Sequence, residues 1–270
     1  MVGKHTSELL QSFVAANLRA DNAAVVGVGI SHDRLVAYAQ TLALKAGQPG
    51  SLAASKVHGG DVRVETNSPL AYVAVAAAGA SLADTKNAIA FALLQRTLGA
   101  GEHFFFSFAI DLDILNAFLF LGIPVKYGIG AGSKLNQAVL GAGAVSALNL
   151  NYSDAGLFGF VAAAPAADAG KVVAAAAKVL RSAKVDDSQL SRAKAQLKSD
   201  LLMAQENTGA LLEELTLQSL IRSNASVDLL SAIDKASVAD VNAVAAQLAS
   251  AKLAVAAVGN LTSVPFADEL

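Results

Sequence analysis

The order of apolar and polar positions predicts short strands separated by longer helices. Residues 7–17 read as a polar, helix-like stretch. Residues 23–30 (AAVVGVGI) form a continuous apolar run of strand length. Leu35, Tyr38 and Leu42 then share one helix face, with Gly47 placed to act as its C-cap. Residues 47–60 read as a loop. The segment 61–66 (DVRVET) alternates Val62 and Val64 with polar partners, as a half-buried strand does, and 72–78 (YVAVAAA) reads as a more buried strand. Ser81 and Asp84 have capping-box spacing, and the helix behind them carries Ile89, Leu93 and Leu94 before stopping at Leu98-Gly99.

The second half continues the pattern. A helix over 134–142 leads to strands 146–152 (SALNLNY) and 156–163 (GLFGFVAA), which Ser153-Asp154-Ala155 joins at hairpin spacing. Helices are expected over 166–180 and 188–205. The latter sets Leu190, Ala193, Leu197 and Leu201 on one stripe, with Arg192, Lys198 and Asp200 outside it. Asn207-Thr208-Gly209 interrupts the pattern before a further helix running to Arg222. Ser237 and Asp240 make a second capping box for a helix bearing Val238, Val241, Val244 and Leu248, and a last strand, 253–258 (LAVAAV), leads into Gly259-Asn260-Leu261. Tightly joined strand pairs, long helices and a closing strand define an α+β class: two layers, a mostly antiparallel sheet with helices packed on one face. No internal repeat and no low-complexity linker stands out.

Composition adds a constraint. Of 270 residues, 54% are hydrophobic and 16% charged, against about 25% charged in an ordinary domain. The apolar content is largely alanine and valine; aromatics are 6% and tryptophan is absent. Such a chain either packs its helices tightly or turns much of its surface toward partner subunits, whose interface cores also lose charge. The length supports a core without a staple. The lack of cysteine excludes disulfides, thiolate zinc sites, iron–sulfur clusters and a thiol nucleophile. A net charge of −2 gives no general basic face for nucleic acid.

The first residues show neither an apolar signal core nor an Arg/Ser-rich leader. One apolar run, 104–124 (FFFSFAIDLDILNAFLFLGIP), approaches membrane-spanning length. Asp111 and Asp113 near its centre would each cost roughly 2.5–3.5 kcal/mol to insert, which argues against spanning.

Candidate chemistry is sparse. The histidines are His5, His32, His58 and His103, and none has the helical i, i+4 spacing of a metal pair. Gly27-Val28-Gly29 sits where a dinucleotide loop would, but His32 replaces the third glycine, so a tight turn is the expectation. Gly128, Gly130 and Gly132 precede Ser133-Lys134 without a P-loop frame; a flexible loop, or a loop touching a peptide or subunit, is the expectation. Asp186 and Asp187 suit a helix start, where negative charge meets the dipole, and Glu213 and Glu214 point to different faces of a helix. The reading assigns no catalytic, cofactor-binding or metal residue, and no cofactor.

Several segments together carry a resemblance: 26–32 (VGVGISH), 58–61 (HGGD), 98–101 (LGAG), 151–160 (NYSDAGLFGF) and 259–261 (GNL) through 265–270 (PFADEL). They resemble the pitrilysin-like family that includes the mitochondrial processing peptidase, in the C-terminal half of its core-protein-2 branch. The resemblance implies the LuxS/processing-peptidase-like metallohydrolase fold. It implies residues 1–22 as a helix leading in from a missing N-terminal half and 23–270 as an inactive C-terminal domain, with an atypical insertion at 104–124. That insertion reads as a retained intron, gene-model error or splice variant, or as an added apolar helix packing on a partner or bilayer surface. The resemblance further implies a non-catalytic structural subunit of respiratory complex III, on the matrix side of the mitochondrial inner membrane. Its partners would be core protein 1 and other complex III subunits, in a hetero-oligomer within a dimeric complex, with no nucleic acid. The alternative it leaves is the non-catalytic, presequence-binding subunit of a processing peptidase, with 128–132 at the place of a substrate loop.

Overall fold

A computed structural model of the chain describes residues 5–47, 53–99, 133–139, 141–222 and 228–270. The helices, in chain order, are α1 (Ser7–Asn17), α2 (His32–Thr41), α3 (Thr85–Leu98), α4 (Lys134–Val139), α5 (Ala169–Arg181), α6 (Asp187–Gln205), α7 (Thr208–Arg222), α8 (Leu229–Lys235) and α9 (Val238–Ser250). The strands are β1 (Gly60–Glu65), β2 (Leu70–Ala78), β3 (Ala144–Asn151), β4 (Gly156–Pro165) and β5 (Ala254–Gly259). The chain divides into two compact units, one of residues 1–54 and 201–228, the other of 55–200 and 229–270.

The larger unit holds one five-stranded sheet, ordered β1-β5-β2-β4-β3. Three of its pairings are antiparallel and only β1/β5 is parallel, in keeping with the expected mostly antiparallel class. Burial follows the period of two that a pleated strand imposes. Val73, Val75 and Ala77 of β2, with Phe158, Phe160 and Ala162 of β4, point to one face and are buried there. That face receives Phe91, Leu94 and Leu98 of α3 and Val172, Val173 and Ala176 of α5; α9 lies against α3 and α5 with Val241, Val244 and Leu248 buried. Fully burying one such large apolar side chain is worth about 1.5–3 kcal/mol. Alanines among the phenylalanines let helix and sheet approach closely. Gly159 serves the same end within the sheet: a Cβ there would stand 1.9 Å from the Val75 carbonyl oxygen.

Local signals decide the element ends. Ser237 and Asp240 form the expected reciprocal box, with Ser237 Oγ accepting from the Asp240 amide and Asp240 accepting from the Ser237 amide. At α3 the cap lies three residues later than expected. Asp84 is the N-cap and accepts from the Asn87 amide, while Ser81 accepts from the Asp84 amide in the turn before it. The expected helix over 166–180 starts at Ala169, since the Asp168 amide closes a turn on Pro165. Helix α8 carries too short a pattern to be expected from sequence.

The smaller unit departs most from expectation. Residues 23–30 form no strand. A strand needs a neighbour for its backbone groups, and the described residues around it offer only a lone parallel bridge, Arg19 to Lys45. Helix α2 ends at Thr41 with Leu42 as C-cap, and Ala43 turns to a φ of 45°, so Gly47 is not the cap. No described residue of this unit is buried. The run 104–124 and the glycines of 128–132 lie outside the described residues.

Candidate interaction surface

The sheet has a second face, turned away from α3 and α5. Because side chains alternate, register places on it Val62 and Val64 of β1, Ala254, Ala256 and Val258 of β5, and Tyr72, Ala74 and Ala76 of β2. Leu157, Val161 and Ala163 of β4 and Ser146, Leu148 and Leu150 of β3 continue it. No Asp, Glu, Lys, Arg or His of these strands falls on that face. Val62 is 64% exposed. A sheet covered on one side only ordinarily alternates apolar with polar residues, whereas strands covered on both faces read as nearly continuous apolar runs. β2, β4 and β5 are of the second kind.

Charge is concentrated on the other side and at the rim. Asp61 and Arg63 of β1 face the helical layer. Arg63 donates to the carbonyls of Val264 and Pro265 and stands 3.7 Å from the Phe266 ring centre, while Asp61 accepts from the Ala267 amide. Together they pin the C-terminal segment to β1. Lys86 meets Asp240 at 2.7 Å, tying α3 to α9. The Lys86 hydrogen bond, then those from Ser237, hold the Asp240 carboxyl well below the usual carboxylate range. At the β3–β4 turn Asp154 accepts from the Ser55 amide, which lowers its pKa and fastens the segment before β1. Arg96 reaches Asp200 at 3.1 Å; burial lowers the guanidinium pKa and Asp200 opposes that shift.

The residues singled out from sequence do not converge. His5, His32 and His58 are exposed, and His103 lies outside the described residues. Among the described residues no three His, Asp or Glu side chains gather where they could hold a metal. Asp186 caps α6 by accepting from the Gln189 amide, as its position suggested. Glu214 accepts from Gln218 and Glu213 is exposed. Lys134 donates to Gln189 Oε1 at 2.8 Å and to the Lys184 carbonyl, so its ammonium is engaged by protein acceptors; burial lowers its pKa. No described helix is long and apolar enough to cross a membrane.

The fold and this surface define an α+β layer protein whose distinctive feature is an uncharged sheet face. Comparison with known proteins makes the class specific. The family described as "Peptidase M16 inactive domain" matches residues 4–197. The chain belongs to that family. It is 34% identical over 279 residues to "Cytochrome b-c1 complex subunit 2, mitochondrial" of Homo sapiens, covering 100% of this chain and 57% of that protein. It is 25% identical over 275 residues to "Mitochondrial-processing peptidase subunit alpha-2" of Dictyostelium discoideum, covering 98% of this chain and 57% of that protein. A chain of complex III2 from Candida albicans, with Inz-5 bound, matches with a TM-score of 0.68 at 18% identity, over 89% of this chain and 55% of that one. That match shows the expected fold. The chain thus spans little more than half the length of these relatives.

The open sheet face was not singled out by sequence reasoning. Its signal was present in the in-between positions, Ala74 and Ala76, Val161 and Ala163, Ala256 and Val258, where a one-sided sheet would carry polar residues.

Proposed function

We propose that this chain is a non-catalytic structural core subunit of respiratory complex III, peripheral to the mitochondrial inner membrane on the matrix side. In this reading it pairs with core protein 1 and other complex III subunits in a hetero-oligomer within a dimeric complex. Residues 1–22 lead in from a preceding half, and 23–270 form the C-terminal pitrilysin-like domain. The observation that carries the reading is the 34% identity to human cytochrome b-c1 complex subunit 2 over the whole chain. The family's description as an inactive domain supports the absence of catalysis. The uncharged sheet face supports a scaffold, which works through area and shape where an enzyme needs convergent polar groups.

A second reading rests on the relatives named as processing-peptidase subunits, at 25–28% identity. There the chain is the non-catalytic, presequence-binding partner of a peptidase. A native gel of detergent-solubilised mitochondria, blotted with an antibody to residues 188–207, separates the two. Co-migration with complex III is expected. Signal only at the mass of a small soluble heterodimer overturns the first reading for the second, and signal at neither position overturns both.

A further inference from the structure

Three lysines of the larger unit meet carboxylates: Lys86 pairs with Asp240, Lys171 with Asp168 and Lys198 with Asp234. Lys134 and Lys184 form no such pair among the described residues. Lys134 is nonetheless drawn partly into the protein. Burial is the largest influence on its pKa and lowers it; Asp186 opposes that shift and Arg192 adds to it. A lysine ammonium has three donors. Two of these go to neutral acceptors, Gln189 Oε1 at 2.8 Å and the Lys184 carbonyl. A charge taken out of water ordinarily meets an opposite charge, and the third donor meets no described acceptor.

Lys134 lines a hollow of 440 Å³, inside the range of about 300–1,000 Å³ for small-molecule sites. Helix α4 turns Leu135 and Val139 to the core, which leaves Lys134, Gln137 and Ala138 to line the hollow. Helix α5 buries Val172, Ala176 and Leu180 and contributes Val179 to the wall. The loop after it contributes Ser182, Ala183 and Lys184. That loop is pinned on both sides of its buried residue, Val185. Asn242 of α9 accepts from the Val185 amide at 2.9 Å and donates to the Val185 carbonyl at 3.0 Å. The Ser182 hydroxyl donates to the Lys178 carbonyl at 2.7 Å. The hollow therefore combines two unpaired ammonium groups with an apolar wall of Ala138, Val179 and Ala183, on backbone that is already fixed. A neighbouring hollow of 320 Å³ shares Ser182 but has another character. There Arg181 donates to the carbonyls of Ala249 and Leu270, and Glu269 adds a negative charge to the lining.

We propose that the Lys134 hollow is a binding site for a small monocarboxylate with a short apolar chain. The carboxylate accepts from the third donor of Lys134, with Lys184 beside it, and the chain lies along Val179, Ala138 and Ala183. A lysine is a point charge and lacks the planar fork by which arginine grips two oxygens of a phosphate. Asp186 stands near enough to act on Lys134, which disfavours a dianion over a monoanion. A bare inorganic anion would also leave the apolar wall unused. The site does not depend on which complex the chain joins, and it lies on the helical layer, away from the open sheet face.

The test titrates hexanoate into the isotope-labelled full chain at constant ionic strength and follows backbone amide shifts by NMR. Hexanol, the neutral analogue, and inorganic phosphate are titrated in parallel. Saturable shifts at Ala138, Val179 and Ala183 are expected with hexanoate. Hexanol and phosphate should each bind about tenfold more weakly or worse, the factor that a hydrogen bond to a charged group supplies. Lys134→Met should weaken hexanoate binding by about the same factor. Ala183→Leu fills the hollow with the ammonium left in place and should also weaken binding. Lys171→Met, on α5 but outside the hollow, should leave the affinity unchanged. Unchanged amide shifts at buried Val75 and Phe160 show that a variant is folded, and Lys134→Met and Ala183→Leu can each be read alone. Absence of saturable hexanoate shifts in the parent chain overturns the proposal. So does hexanol or phosphate binding as tightly as hexanoate, or an affinity for hexanoate that a folded Lys134→Met or Ala183→Leu variant retains in full.

Discussion

Truncating Phe158 to alanine tests whether the sheet and α3 form one core. Phe158 of β4 is 0% exposed and Phe91 of α3 is 1% exposed. Their ring centres are 5.0 Å apart at an interplanar angle of 39°. Deleting a buried phenylalanine side chain costs about 3–5 kcal/mol through lost transfer and the cavity left behind. Of this, about 0.5–1.5 kcal/mol belongs to the ring pair itself. Domains of this kind are stable by about 5–15 kcal/mol in total, so the substitution removes about a fifth or more of the reserve. Urea unfolding read by far-ultraviolet circular dichroism is the assay, since the chain has no tryptophan. With a urea slope of about 2–3 kcal/mol per molar, the midpoint should fall by about 1–2.5 M. Phe91→Ala alone and the double variant close a cycle that isolates the pair. A fall of less than about 0.5 M at unchanged slope, or a cycle additive to within about 0.3–0.5 kcal/mol, refutes a shared sheet–helix core.

Ser237→Ala removes one arm of the α9 box and should lower stability by about 1 kcal/mol, measured in the same urea assay. Asp240 has a depressed pKa in the folded chain, so its contribution is full above the ordinary carboxylate value of 3.8 and disappears as pH falls through the folded value. Thermal melts at acid and neutral pH should therefore show a smaller acid loss in Asp240→Asn than in the parent; an equal loss defeats the assignment. Val62→Lys, at a position 64% exposed, should shift stability by no more than about 0.5 kcal/mol yet reduce the share of chain in the assembled band on a native gel. An unchanged share removes the open face from the interface.

Much of the larger unit is legible in its sequence because period and punctuation agree there. The alternation over β1, the Ser237/Asp240 box and the Ser153-Asp154-Ala155 turn each specify a local geometry that the rest of the fold accepts. The misplaced cap at α3 shows the limit of spacing. Ser81 and Asp84 satisfy the pattern, but both Asp84 and Ser81 can accept amide bonds, and the chain assigns the helix start to the later one. Residues 23–30 show a different limit. Their sequence is that of a buried strand, yet strand formation is a property of two segments, and no described neighbour supplies the second.

The open face also bears on the composition. A domain with one hydrated sheet face spends its alternate strand positions on Lys, Glu, Thr and Ser; here those positions are mostly Ala, Val and Leu, which contributes to the low charged fraction of 16%. Alanine dominates its centre, at Ala74, Ala76, Ala254 and Ala256, and Gly159 joins them. Tyr72 is the one side chain that these strands place on it of the aromatic or arginine type that concentrates binding energy. Association through it depends on excluding water over a broad area. Enlarging any one alanine there disturbs little by itself, whereas a single lysine leaves a charge that the partner surface must desolvate without a counter-ion. That asymmetry, small effects from apolar changes and large ones from charge, separates an area-driven scaffold contact from a pocket that recognises one ligand.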